Sequence, residues 1–153
     1  MSFKVLLPAG LLLLGGCSWF EQGPRELTAE LASQPPKHGF QLGGSVDSLE
    51  VEPGKGLLTV RGWHMLTPET ARPELEIYAS GAEAILSLER IDRPDVAAEL
   101  DNPDLMNSGF EIQIKLTPGT EVTNFCMTFD DKQYGPRLLN PHSPDQVRCT
   151  LRD

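Results

Sequence analysis

Phe110, Ile112, Ile114 and Leu116 alternate with Glu111, Gln113 and Lys115. In an extended chain this period of two puts every apolar side chain on one face and every polar one on the other. Such a stretch settles only with a core on one side and water on the other. Leu75, Ile77 and Ala79 repeat the pattern against Glu74, Glu76 and Tyr78. Weaker runs occupy 45–51, 57–65, 84–91, 122–129 and 146–151. Turn signals at Pro53-Gly54-Lys55-Gly56, Ser80-Gly81, Pro118-Gly119 and Tyr134-Gly135-Pro136 separate them. About seven short strands broken in this way predict an all-β chain, an antiparallel β-sandwich.

One interruption is helical. Asp92-Arg93-Pro94-Asp95-Val96-Ala97-Ala98-Glu99-Leu100 offers an acid at the N-cap, an early proline and good helix formers after it. Two turns at most are expected, with Val96 and Leu100 facing the sheet.

Gly62-Trp63, then Arg93-Pro94-Asp95-Val96, then Asn107-Ser108-Gly109-Phe110 form an ordered set. The set resembles small Ig-like β-sandwich modules appended to bacterial envelope and glycan-related proteins. The likeness runs over residues 44 to 130. It implies that the Arg-x-Asp-Val turn and the Ser-Gly-Phe entry frame the last sheet. For function it implies only a module that accompanies something else.

The N-terminus carries a second resemblance. Lys4 precedes an apolar run from Val5 to Leu14, broken by Pro8 and Gly10, and Leu14-Gly15-Gly16-Cys17 closes it. The run is too short to span a bilayer, which needs about 20 apolar residues, and it has the layout of a secretory signal. The motif resembles the lipobox of bacterial lipoproteins. That resemblance implies cleavage after residue 16 and lipidation of Cys17, which ties the protein to a membrane without spanning it. Ser18 in place of Asp implies the outer membrane. Trp19 and Phe20 suit the headgroup zone beside an anchor. Residues 1–16 are then signal, 17–43 lipidated terminus and flexible tether, and 44–153 the sandwich. A short helix from Pro24 to Ser33, resting on Leu27 and Leu31, is marginal within the tether.

Cys126 and Cys149 remain once Cys17 is assigned to the anchor. In an oxidising compartment the pair reads as one disulfide, with two buried free thiols as the alternative. Cys126 shares a strand face with Val122, while Phe125, Met127 and Phe129 take the other face. Either both faces of that strand are covered or a bulge changes its phase.

The formal charge of -9 argues against nucleic acid, which calls for basic patches. It also argues against electrostatic attraction to anionic headgroups. His38, His64 and His142 are scattered without metal-ligand spacing, and no nucleophile elbow or phosphate loop is present. The expectation is no enzyme, no cofactor and no metal. Glu99, Asp101, Asn102, Asp104 and Asn107 are dense in oxygen, yet no EF-hand register exists, so turn and cap chemistry is the reading. Arg93 and Asp95, two apart, would not face each other on a helix. Asp95 is expected to accept backbone N–H groups and Arg93 to bridge to a neighbouring strand.

Trp63 at a strand end reads as core, with a sugar-stacking platform as the alternative. The segment from Asp130 to Gln146 reads as a long loop, and such loops are often functional. Tyr134, Arg137, Leu138 and Leu139 have the composition of a partner-binding patch. The competing reading tucks the two leucines under the loop to close the core edge. The function expected is a lipid-anchored, periplasm-facing accessory lipoprotein that contacts another envelope protein. The alternative is a carbohydrate-binding module for peptidoglycan or surface polysaccharide.

Overall fold

A computed structural model describes residues 26–37, 41–66, 74–131, 135–141 and 147–153. The Leu14–Cys17 motif, Ser18, Trp19, Phe20, His38, Tyr134 and His142 lie outside them. The chain is all-β. Eight strands run as β1 (Thr28–Leu31), β2 (Gln41–Glu52), β3 (Leu57–His64), β4 (Glu74–Ala79), β5 (Ala82–Ile91), β6 (Gly109–Leu116), β7 (Phe125–Asp131) and β8 (Gly135–Pro141). One helix, α1 (Pro94–Glu99), and a 3-10 turn (Pro103–Leu105) lie between β5 and β6.

The strands form one sheet in the order β1-β4-β7-β8-β2-β3-β6-β5. Its two edges, β1 and β5, approach each other, so the sheet curls almost into a barrel. The pairing is not wholly antiparallel: β1 runs parallel to β4 and β2 parallel to β8. Following the pairings around the sheet, β1, β2, β4, β6 and β8 begin at one end, where β3, β5 and β7 finish. We call this the entry end, because the chain enters the sheet there.

The core follows the period of two. Leu75, Ile77 and Ala79 of β4, Phe110, Ile112, Ile114 and Leu116 of β6, and Leu58 and Val60 of β3 are buried in one cluster. Phe125, Met127 and Phe129 of β7 complete it. Gly62 is required by packing: a Cβ there would stand 2.2 Å from the Ser45 carbonyl oxygen and 2.9 Å from Phe110 Cζ.

Four expectations are corrected. Residues 28–31 are not tether or helix but β1, in register with Glu74–Ile77. Leu27 is buried in the core, so the folded unit starts before residue 44. Residues 135–141 are not loop but β8, held between β7 and β2. The strand expected at 146–151 is absent from 147–151, where a single parallel bridge joins Arg148 to Asn124.

The cysteine question resolves toward two covered faces. Phe125, Cys126, Met127, Thr128 and Phe129 are all buried. Cys126 is bonded to Cys149. The C-terminal segment is strapped beside the start of β7: Thr150 N donates to Asn124 Oδ1 at 2.9 Å, and Asn124 Nδ2 donates to the Thr150 carbonyl at 3.0 Å. Arg152 N reaches the Pro36 carbonyl at 3.0 Å, just beyond β1. This strap lies at the end opposite the entry end.

Candidate interaction surface

Residues 92–108 cross the entry end from β5 to β6. Pro94 takes the first helical position of α1, where its missing N–H costs nothing. The N-cap is Arg93 rather than Asp92, and no side chain caps the helix. Val96 and Ala97 are buried with Leu105, and Trp63 packs against them. Leu100, expected to face the sheet, is instead 44% exposed, because α1 stops at Glu99 and Leu100 is already its C-cap. Asn102 Oδ1 accepts from Asp104 N at 3.0 Å and caps the 3-10 turn. Asn102 thus does cap chemistry in the 101–104 turn, as the spacing suggested.

Arg93 ties this crossing to the sheet. Its Nη1 lies 2.7 Å from Asp47 Oδ2 on β2, and its Nη2 lies 2.7 Å from Asp95 Oδ2. Its Nε donates to Asp95 Oδ1 at 2.9 Å. A bridge from Arg93 to a strand was expected, but it reaches β2, two strands from β6, and not a neighbouring strand. The direct contact with Asp95 corrects the helical-spacing argument: Arg93 has φ -126° and ψ 68°, so it is not yet helical and can fold back. Hydrogen bonds from Arg93 hold the Asp95 carboxyl at a pKa of about 2. Asp95, then Asp47, in turn raise the guanidinium above its ordinary value. Gly109 leaves room for the arginine stem: a Cβ there would be 2.6 Å from Arg93 Cγ.

His64 sits beneath the crossing. It is 3% exposed, with its ring parallel to Phe110 at 6.2 Å and edge-on to Phe129 at 6.5 Å. Nδ1 accepts from Leu66 N at 3.3 Å, while the buried Nε2 has no hydrogen-bond partner among the described residues. Desolvation, helped by the charge of Arg90, pushes its pKa down to about 4. Sequence reasoning set His64 aside as a scattered histidine. Its phase with Leu58, Val60 and Gly62 on β3 was the signal that it points inward.

Around this end several large apolar side chains face solvent. They are Leu42 at 58%, Met65 at 38%, Met106 at 41% and Ile91 at 36%. Leu42 lies on β2 and Ile91 at the end of β5, Met65 directly follows β3, and Met106 lies on the crossing just before β6; β2, β3, β6 and β5 are neighbours in that order. Met65 N donates to the Gly43 carbonyl at 2.8 Å, His64 N to the Ser108 carbonyl at 3.1 Å, and Ile91 pairs with Gly109. Four neighbouring strands at about 4.8 Å spacing make a row about 15 Å wide. Leu100 extends it on the crossing. Asp92, Glu99, Asp101 and Asp104, all exposed, border the same segment.

The other expected site residues are dispersed. Trp63 is half-buried, one flank taken by Val96, Ala97 and Leu105, and is no open stacking platform. Arg137 is half-buried, and its Nη1 donates to the Leu42 carbonyl at 3.1 Å. Leu138 is half-buried between Leu42 and Thr128 in the sheet register. Leu139 is a correction: at 1% exposure it belongs to the core and not to a binding patch. Among the described residues no group of three His, Cys, Asp or Glu side chains could hold a metal, and no helix is long and apolar enough to cross a membrane. Comparison of the chain with protein-family models, with curated proteins and with solved structures finds no match.

Proposed function

We propose that the chain is a lipid-anchored, periplasm-facing accessory protein, held on the outer membrane through Cys17, that acts by binding another envelope protein. One observation carries the binding half of this reading: the row of exposed apolar side chains at the entry end, from Leu42 through Met65 and Met106 to Ile91. Apolar side chains gathered at one place on a small domain mark a contact site more often than chance exposure does. The resemblance of Leu14-Gly15-Gly16-Cys17 to a lipobox supports the anchoring half. The chemistry-bearing groups of this end are already committed. Arg93 is neutralised by Asp47 and Asp95, and His64 is sealed under two phenyl rings. That arrangement supports a reading of binding without turnover.

The finer fold reading belongs to the same proposal. We read the curled sheet as an Ig-like sandwich joined along one side. Strands β1, β4, β7 and β8 form one leaf and β2, β3, β6 and β5 the other, with both inner faces on a single core.

The test is crosslinking in the native envelope followed by affinity purification, with the wild type beside Cys17→Ala. One protein enriched with the anchored form and lost with the unanchored form supports the proposal. A specific turnover abolished by one substitution on a folded chain would overturn it. So would glycan binding lost on Trp63→Ala.

A further inference from the structure

We infer that the entry end is a docking face for a membrane-proximal protein whose contacting segment is both apolar and basic. The inference rests on the anchored-binding reading above and adds the place, the orientation and the partner's chemistry.

Orientation follows from the path of the chain. β1 begins at the same end as β2. Residues 17–25 are therefore all that separates an acylated Cys17 from the folded unit, a reach of at most about 30 Å. The tether is shorter than the sequence suggested, because 28–31 are built into the sheet. The end that carries Leu42, Met65, Met106 and Leu100 is the end drawn toward the membrane.

Charge selects the occupant. Asp92, Glu99, Asp101 and Asp104 are exposed on the crossing. Arg93 brings no free charge against them, since Asp47 and Asp95 neutralise it; among the described residues at this end the other cations are exposed Arg90 and half-buried Arg137, whose Nη1 is taken by the Leu42 carbonyl. An anionic bilayer would be repelled by such a border. A protein segment with lysines or arginines around an apolar centre is complementary to it, with the charges steering the encounter and the apolar row supplying the buried centre.

The experiment places a photoreactive amino acid at Met106 or Leu100 of the full-length anchored protein in intact envelopes. Control positions are Leu86 and Val51, which are exposed elsewhere on the sheet. The expected result is adducts from Met106 and Leu100 to one membrane-proximal protein, mapped to a segment of net positive charge. Combining Asp92→Asn, Glu99→Gln, Asp101→Asn and Asp104→Asn should cut their yield by about tenfold or more with the fold intact by circular dichroism. Adducts from Leu86 or Val51 alone would overturn the docking face and leave the binding reading standing. Adducts to lipid alone would make the bilayer the occupant and overturn the inference. An acidic partner segment, or a yield indifferent to the charge changes, would overturn the assigned chemistry. No adduct from any position would overturn the binding reading as well.

Discussion

Arg93 Nη1 lies 2.7 Å from Asp47 Oδ2, and this contact fastens the β5–β6 crossing to β2, two strands away from β6 in the sheet. Without it the crossing would be held by α1's small apolar patch and by the backbone bond from His64 N to the Ser108 carbonyl at 3.1 Å. Arg93→Gln keeps a donor and removes the charge. It should lower the melting temperature by a few degrees, in line with about 1 kcal/mol for a partly exposed ion pair. Hydrogen exchange should quicken over 94–106 and not over β7. An unchanged exchange pattern would make the contact incidental.

Acid should weaken the fold in two steps. His64 has a folded pKa of about 4 against an ordinary 6.5, so the unfolded chain binds the proton first as pH falls. Its contribution is complete above the unfolded value. It declines from pH 6.5 to pH 4 by roughly 3 kcal/mol in all, 1.36 kcal/mol for each pH unit. Asp95, held at about 2, acts later: its share is present above its ordinary 3.8 and is lost as pH falls toward 2. Denaturant midpoints across pH 7 to 4 measure the first step, and His64→Phe should flatten it.

The disulfide and the apolar row sit at opposite ends of the sheet. Joining residues 23 apart removes chain entropy worth about 3 kcal/mol. Cys126→Ser with Cys149→Ser should therefore lower the melting temperature markedly and speed exchange in 147–153. Well below that temperature the crosslink from Met106 should persist. The segment that the bridge closes off contains β8, since residues 135–141 are a strand and not a loop.

Leu139→Ala should cost about 2–4 kcal/mol by leaving a cavity in the core. Leu138→Ala, at a half-buried position, should cost less. Equal and negligible effects on melting would return both leucines to the surface.

The strands legible in the sequence are those whose neighbours leave their alternation clean. β4 and β6 each bury one face only, so Leu75-Ile77-Ala79 and Phe110-Ile112-Ile114-Leu116 read directly. β1 escaped because Thr-Ala-Glu-Leu is short, and Leu27 with Leu31 satisfies a helical spacing equally well. Its strand state comes from pairing with β4, a contact that spans more than forty residues of chain. β8 escaped because Pro136 and Pro141 bracket Arg137-Leu138-Leu139-Asn140, and prolines read as turn. Both stand at the strand's ends, where a missing N–H does little harm. At the entry end the helix and the Arg93 bridge to a strand were foreseeable. The row was not, because Leu42, Met65, Met106 and Ile91 are scattered along the chain and only the strand order aligns them.

Metabolic labelling with a fatty-acid analogue tests whether the domain is anchored at Cys17, as the proposed orientation of its entry end toward the membrane requires. The wild-type protein should take up label and partition with the outer membrane, while Cys17→Ala takes up none and is released or left unprocessed. A wild-type protein that carries no label would contradict the anchor, and with it the orientation assigned to the docking face.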